Sequence, residues 1–315
     1  MNIEKLLKQF EDKPYMLEMG AGKLSKWMTK KLNVSISKED IKAAKKAYRD
    51  IHNIKKSTKL PKILLLDIET APIKGYVWRL WKQNIYLPQL ISDWFMLTWS
   101  AKWLFDSTVD SDRLTGKEVL EENDYRIVKR LWSYLNEADI VIAHNGESFD
   151  IPKINARCIV NNLPPTSPYQ QIDTKKIAAK QFGFSSNKLD GLAIQFGFKV
   201  KLDTDFELWA ECMKGNEEAL KYMEEYNKHD VELLEEVYLK LRPWIKAHPN
   251  VGLYIEADYP VCSNCGSNHL HKEGYYYTST GRYETYRCEC GAISRVRTTS
   301  YPKDKRKKLL VSAAK

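Results

Sequence analysis

The chain contains no run approaching the roughly 20 consecutive apolar residues that a membrane-spanning helix needs. Its opening stretch, "MNIEKLLKQFEDK", also lacks the apolar centre of a secretory leader. The expectation is a soluble, cytoplasmic protein without a membrane partner, either associated with a nucleoid or working in the cytoplasm of a viral host. The cysteines are also arranged less as a disulfide framework requires than as a metal site does. Of six cysteines, Cys158 and Cys212 stand alone and the other four cluster near the end, which suits a metal site in a reducing compartment. No phosphate-binding loop is present. In "GAGKLS", residues 20–25, Leu17 stands where that motif needs its first glycine and Leu24 where it needs Ser or Thr. Internal repeats and long low-complexity tracts are missing too.

What the sequence does have is charge, unevenly spread. The net charge of +9 divides into 15 Lys and Arg against 7 Asp and Glu over residues 1–60, 24 against 30 over residues 61–259, and 11 against 4 over residues 260–315. Basic flanks imply a polyanionic partner, and an acidic centre that handles such a partner needs cations to offset repulsion.

Residues 1–58 read as a helical module. Leu24, Trp27, Met28 and Leu32, and then Ile41, Ala44, Tyr48 and Ile51, recur at helical spacing. Between the two sets "NVSISKED" supplies a turn, with Ser37 and Asp40 forming a capping box. The second helix carries Lys38, Lys42, Lys45, Lys46 and Arg49. A helix-turn-helix presenting this basic helix to DNA is one reading; a helical arm with a solvated basic face is the other.

The polar, Pro-containing "KSTKLPK" then gives way to "ILLLDIE", so a new domain begins near residue 61. The pattern predicts a strand near 63–69, aromatic-rich strands across "WFMLTWSAKWLF", a helix near 124–136 and a strand at "DIVIAHN". Helices follow around 151–162, 173–181, 188–196 and 216–242. Strands first, then helix and strand alternating, predict an α/β fold with a mixed sheet flanked by helices. Trp78, Trp81, Trp94, Trp99 and Trp103 read as core and rim packing in preference to substrate stacking. His144 reads as a hydrogen-bonded histidine at a strand end.

Four acids stand out. Asp67 and Glu69 are two residues apart on one strand and so point to the same face, within roughly 7 Å, where they repel unless one is protonated, a base pairs with them or a metal sits between, a hard divalent cation being the favoured answer. Asp150 follows a strand that breaks at Asn145-Gly146, beyond the carboxyl end where open sheets place their crevices. Met223, Tyr226, Asp230, Leu234, Val237 and Leu241 recur at three- and four-residue steps, so Asp230 lies on the inward stripe of a long helix. Tyr226 is one turn from it on the same face, whereas His229 is rotated by about 100°.

These stretches resemble the DEDD superfamily of DnaQ-like 3′-to-5′ exonucleases. "DIET" matches its first motif, "NGESFD" its second and "YNKHD" its third. The resemblance spans about residues 61–247 and implies an RNase H-like fold. It also implies an active site in which Asp67, Glu69, Asp150 and Asp230 hold two Mg²⁺ or Mn²⁺ ions. Asp67 would bridge both ions, Glu69 and Asp230 would help bind the one that activates water, and Asp150 would serve the other. The tyrosine four before the last aspartate, Tyr226, implies the tyrosine-type branch, in which it orients the attacking water. Thr70, Asn145 and Phe149 are the implied substrate-binding positions. The implied activity is hydrolysis of DNA from its 3′ end to nucleoside 5′-monophosphates. Processing of RNA 3′ ends on the same site, and a binding adaptor with a vestigial nuclease fold, remain alternatives. A protein partner in a replication, repair or phage complex fits the absence of any polymerase domain.

At residues 258–300, "CSNCG" and "CECG" are separated by tyrosine-rich segments suited to a hairpin, which looks like a zinc ribbon. Cys262, Cys265, Cys288 and Cys290 would bind one structural Zn²⁺, with His269 or His271 as a substitute for one thiolate. Arg282, Arg287, Arg295 and Arg297 interleave with Tyr275, Tyr276, Tyr277, Tyr283 and Tyr286, suited either to contacting nucleic acid or to folding alone. Residues 301–315, with "KDKRKK", read as a disordered basic tail.

Overall fold

The computed structural model describes residues 3–12, 21–32, 35–51, 60–199 and 204–313. The chain divides into two compact units, Met1–Lys59 and Leu60–Lys315.

The first unit holds α1 (Ile3–Asp12), α2 (Ala21–Leu32) and α3 (Lys38–Ile51). Leu6, Phe10, Leu24, Met28, Ile36, Ile41, Ala44 and Tyr48 form its core, with the Phe10 and Tyr48 rings meeting edge-on at 5.8 Å. The capping box is present in both directions. Asp40 N–H donates to Ser37 Oγ at 3.0 Å, and Ser37 N–H to Asp40 Oδ2 at 2.8 Å. Two positions differ from expectation. Trp27 is exposed, with the Lys31 ammonium 4.7 Å from its ring, and Lys45 is buried, so it leaves the basic face that Lys38 and Lys42 present to solvent. The side chains of Leu32, Lys46, Arg49 and Ile51 lie outside the described residues.

The second unit is built on β1 (Ile63–Thr70), β2 (Lys74–Gly75), β3 (Leu90–Ser92), β4 (Met96–Trp103), β5 (Asp110–Arg113), α4 (Gly116–Leu120), α5 (Tyr125–Glu137), β6 (Ile140–Ala143) and α6 (Asp150–Val160). It continues with β7 (Gln170–Asp173), α7 (Thr174–Gln181), α8 (Leu189–Phe196), α9 (Phe206–Met213) and α10 (Glu217–Leu241). The main sheet runs β5-β4-β1-β6-β7. Its β5, β4 and β1 are antiparallel neighbours, while β1, β6 and β7 pair in parallel. β1 and β6 are central and apolar on both faces, which explains why they read as continuous hydrophobic runs.

Helices cover the sheet. Leu64, Leu66 and Ile68 point with Trp99 and Val141 into a core closed by Ile127, Val128, Leu131 and Leu135 of α5 and Ile151 and Ile154 of α6. Ile63 and Leu65 join Ile140, Ile142 and Ile172 on the other face, under Val231, Leu234 and Tyr238 of α10. Since side chains alternate along a strand, Asp67 continues the row of Ile63 and Leu65 toward α10.

The aromatic-rich segment forms one strand, β4, where several were expected. Trp99 is its buried anchor, donating from Nε1 to the Ile127 carbonyl at 2.9 Å. Trp103 stacks on Tyr134 at 6.1 Å, and Trp94 lies under the Lys153 ammonium. Trp78 and Trp81 correct the packing expectation. Both are on the surface, on an arm between β1 and β4 that is pinned at its base by the Ala71 N–H donating to the Phe95 carbonyl at 2.8 Å.

After α10 the chain forms a three-stranded antiparallel sheet from β8 (Leu270–Thr278), β9 (Gly281–Cys288) and β10 (Ile293–Arg295), in the order β10-β9-β8. Asn264 Nδ2 ties it to the Arg242 carbonyl at 2.9 Å, and Val251 N–H donates to the Ser263 carbonyl at 2.8 Å. The tail expected to be disordered contains a one-turn helix, α11 (Lys303–Arg306), where the Arg306 N–H donates to the Pro302 carbonyl at 3.0 Å. Among the described residues no helix is long and apolar enough to cross a membrane.

Candidate active site and cysteine cluster

β1 and α10 bring three of the four acids together. Oxygens of Asp67, Glu69 and Asp230 all lie within 4.8 Å of one another. Asp150, the first residue of α6, approaches from the other side of β1, where its Oδ1 accepts the Ile68 N–H at 3.3 Å. It stands beside the triplet and is buried.

The electrostatics follow from that crowding. Burial pushes the Asp67 carboxyl well above the ordinary carboxylate range, and Asp150, Glu69 and Asp230 push it further. Asp150 is pushed up to about 7, first by burial, with two backbone N–H donors opposing and Asp173 adding to the rise. The donor set is all oxygen, which suits hard divalent cations. Bound there, such ions would relieve the repulsion that protonation relieves otherwise. The residues fit the two-ion expectation in charge and donor type.

Asn227 went unnoticed in the sequence. It is buried three residues before Asp230, and its Nδ2 donates to Asp67 Oδ2 at 2.6 Å. Its Oδ1 is buried without a hydrogen-bond partner among the described residues, leaving one further oxygen in the cluster. The available signal was an amide on the inward stripe of α10, whose buried set of Leu220, Met223, Tyr226, Asn227, Asp230, Val231, Leu233, Leu234, Val237, Tyr238 and Leu241 is wider than the stripe predicted. Tyr226 is buried within it, whereas His229 turns toward Glu232, its Nδ1 3.9 Å from the carboxylate.

The second motif is a shaped loop. Asn145 adopts a left-handed φ of 74°. A Cβ on Gly146 would stand 2.5 Å from the Ala143 Cβ, so glycine is required there. Asp173, another residue the sequence did not single out, is buried beneath this loop and accepts the Asn145 and Glu147 N–H groups at 3.1 and 3.3 Å. The Asn145 side chain accepts from Lys175 Nζ at 3.3 Å. His144 is satisfied as expected, between Thr174 Oγ1 at 2.9 Å and the Asn187 carbonyl at 3.0 Å. Burial pulls its pKa down to about 4, keeping it neutral.

At the end of β1, Thr70, Ile73, Trp94, Lys153, Phe206 and Trp209 line a cleft of about 630 Å³. Lys153 Nζ is 3.7 Å from the centre of the Trp94 ring and 5.1 Å from that of Phe149, itself partly exposed. The cleft thus offers a cation and aromatic faces immediately after Glu69. Cys158 and Cys212 are buried, their thiols pushed up to about 11 and about 12 chiefly by burial. Neither is a nucleophile near neutral pH.

The four C-terminal cysteines form a second group, with sulfur atoms within 4.8 Å of one another. Cys262 and Cys290 Sγ are 3.7 Å apart, and Cys265 and Cys288 Sγ 3.5 Å. Tetrahedral thiolates at about 2.3 Å from zinc stand about 3.8 Å from each other, so the arrangement fits that ion. Gly266 and Gly291, each directly after a cysteine, take left-handed φ values of 78° and 88° that turn the backbone around the sulfurs. His269 and His271 are exposed outside the group, His269 facing Glu289 at 3.0 Å. Three of the four interleaved arginines are engaged within the sheet, and Arg297 is exposed. Arg282 covers Tyr275 at 4.4 Å, Arg295 covers Tyr283 at 4.3 Å, and Arg287 pairs with Glu273.

A family model described as RNase_H superfamily (RNase_H_2) matches residues 107–242. That range contains Asp150, Tyr226, Asn227 and Asp230, while Asp67 and Glu69 precede it. No curated protein matches the chain. Among solved structures, the family B DNA polymerase from the hyperthermophilic archaeon Pyrobaculum calidifontis is similar over 59% of this chain and 25% of its own, at 17% identity and a TM-score of 0.44. The chain therefore spans about a quarter of that polymerase's length. The mixed sheet flanked by helices is an RNase H-like α/β fold.

Proposed function

We propose that this protein is a divalent-cation-dependent nuclease that hydrolyses DNA from the 3′ end and releases nucleoside 5′-monophosphates. The observation that carries the reading is the convergence of Asp67, Glu69 and Asp230 within 4.8 Å at the end of the central strand, with Asp150 buried alongside. These four carboxylates would hold two Mg²⁺ or Mn²⁺ ions. When bound, the ions supply charge neutralisation at the attacking and leaving oxygens of the phosphodiester.

The chain's own residues do the rest. Asn227 fixes the Asp67 carboxylate by donating to Oδ2. Tyr226, one turn before Asp230, orients the attacking water. Thr70 and Phe149 border the place of the terminal nucleotide, and Asn145 with Asp173 holds the loop that leads into Asp150. Lys153 supplies a cation at the cleft beside Trp94. The C-terminal cluster holds one structural Zn²⁺ through Cys262, Cys265, Cys288 and Cys290, and the basic N-terminal helices add affinity for the nucleic acid backbone.

The test is degradation of matched 5′-labelled DNA and RNA oligonucleotides with Mg²⁺ or Mn²⁺. A ladder shortening from the 3′ end, faster on DNA, is expected. Asp67→Ala and Asp230→Ala should each reduce the rate at least about a thousandfold with the circular dichroism spectrum unchanged. Full activity in either variant overturns the assignment, and a ladder on RNA alone reassigns the substrate.

A further inference from the structure

The arm between Pro72 and Ser92 inverts the ordinary division between inside and outside. Trp78, Leu80, Trp81 and Leu87 are 94%, 88%, 80% and 83% exposed, and Tyr76 and Tyr86 are also on the surface. Gln83 and Gln89 are half-buried and bond to the arm's own backbone, while Arg79 and Lys82 are exposed with the rings. Gln83 Oε1 accepts the Trp78 and Arg79 N–H groups at 3.2 Å each, and Gln89 Oε1 accepts the Tyr86 N–H at 3.0 Å while its Nε2 donates to the Tyr76 carbonyl at 3.0 Å. Arg79 Nη2 donates to the Lys82 carbonyl at 2.9 Å. β2 and β3 pair at the base. These bonds hold the backbone in one shape with the aromatic rings outward.

Charge narrows what can cover such a surface. Residues 72–92 carry Lys74, Arg79 and Lys82 and no acid, within a segment, residues 61–259, that is otherwise acidic. Lys74 at the base of the arm pairs with Glu122 at 3.3 Å, which leaves Arg79 and Lys82 as the cations beside the exposed indole and phenol rings, a combination that matches the phosphates and bases of an unpaired strand. Position agrees, because Ile73 begins the arm and also lines the cleft that adjoins Thr70.

We propose that the arm is a stacking platform for unpaired bases of single-stranded nucleic acid. As a deepening of the nuclease reading it rests on that reading for the strand's direction into the cleft, while the binding itself is independent of cleavage. Bases of the strand stack on Trp78 and Trp81, and Arg79 and Lys82 meet the phosphates between them.

The experiment uses the zinc-loaded full chain without added Mg²⁺ or Mn²⁺, titrated with fluorescent oligo(dT), oligo(U) and an abasic strand of equal length, reading anisotropy and tryptophan quenching. Trp78→Ala/Trp81→Ala should weaken oligo(dT) binding at least about tenfold and remove most of the quenching. Trp78→Phe/Trp81→Phe should restore affinity to within about threefold, since phenyl rings also stack. The abasic strand should bind wild type and the alanine variant alike. Unchanged oligo(dT) affinity in the alanine variant overturns the proposal, as does an equal loss on the abasic strand. Unchanged affinity with altered sedimentation assigns the arm to a second copy of the chain and likewise overturns it. Base-dependent binding by a chain that cleaves nothing under Mg²⁺ or Mn²⁺ sinks the catalytic reading and leaves the platform standing.

Discussion

The four thiolates come from a single stretch, Cys262 to Cys290, on two turns joined by a hairpin, whereas the carboxylates come from β1, the start of α6 and the middle of α10, between Asp67 and Asp230. The sulfurs sit 3.5 to 3.7 Å apart in pairs, the packing of a closed tetrahedron. The Asp67, Glu69 and Asp230 oxygens, like the four sulfurs, lie within 4.8 Å of one another, but Thr70, directly after Glu69, lines a cleft of about 630 Å³. In the proposed reading the sulfurs would enclose one structural ion. The carboxylates would leave coordination positions for water and substrate, as a site must if an ion is to act on something.

The contrast breaks most sharply through the thiolates. Cys288→Ser should take zinc from one per chain to none, measured by atomic absorption after gel filtration, because a three-thiolate site of so small a sheet loses most of its metal affinity. The same variant should keep Mg²⁺-dependent cleavage of a short oligonucleotide within about fivefold of wild type, since the carboxylates rest on the main sheet. Asp67→Ala should keep its zinc. If Cys288→Ser abolishes cleavage, the two groups are parts of one machine.

A smaller effect separates the two residues beside Asp230. Tyr226→Phe should lower kcat by up to about a hundredfold through misplaced water, with KM for the oligonucleotide little changed. His229→Ala, on the side of α10 toward Glu232, should change kcat by less than about threefold. Single-turnover rates at saturating metal decide between them. The reverse order would assign the water to the histidine.

Legibility followed the same divide. Cys-x-x-Cys and Cys-x-Cys are local patterns, and the sequence disclosed them without any knowledge of the fold. Asp67, Glu69, Asp150 and Asp230 were readable because each sits at a place where an acid needs a reason: a buried strand, a strand end, the inward face of a helix. β1, β6 and α10 were equally plain, since continuous apolar runs and helical periodicity mark elements buried against others. The polar strands β5 and β7 carry "DSDR" and "QQID" at the sheet's two edges and gave no such pattern. Asp173 and Asn227 were passed over for a further reason. Each works through contacts with residues far away in sequence, Asp173 with Asn145 and Glu147, 28 and 26 positions before it, and Asn227 with Asp67, 160 positions before it. Trp78 and Trp81 misled because large aromatics are buried far more often than they are displayed.

Asn227 also supplies the finest test of the contrast, because the Cys262 sulfur is met by a backbone N–H, from Asn264 at 3.4 Å, whereas Asp67 is aimed by a side chain that a substitution can remove. The Asn227 amide favours the charged form of Asp67, against burial and three neighbouring carboxylates. Asn227→Ala removes that donor and should raise the Mg²⁺ concentration for half-maximal cleavage about tenfold, the usual cost of losing a partner that orients a metal ligand. The rate at saturating Mg²⁺ should return to within about threefold of wild type, which separates a positioning role from damage to the fold. Asn227→Gln reaches one methylene further from α10 and should fall between the two. A variant that lowers the saturated rate while leaving the Mg²⁺ midpoint in place would mean that Asn227 meets the substrate instead of Asp67.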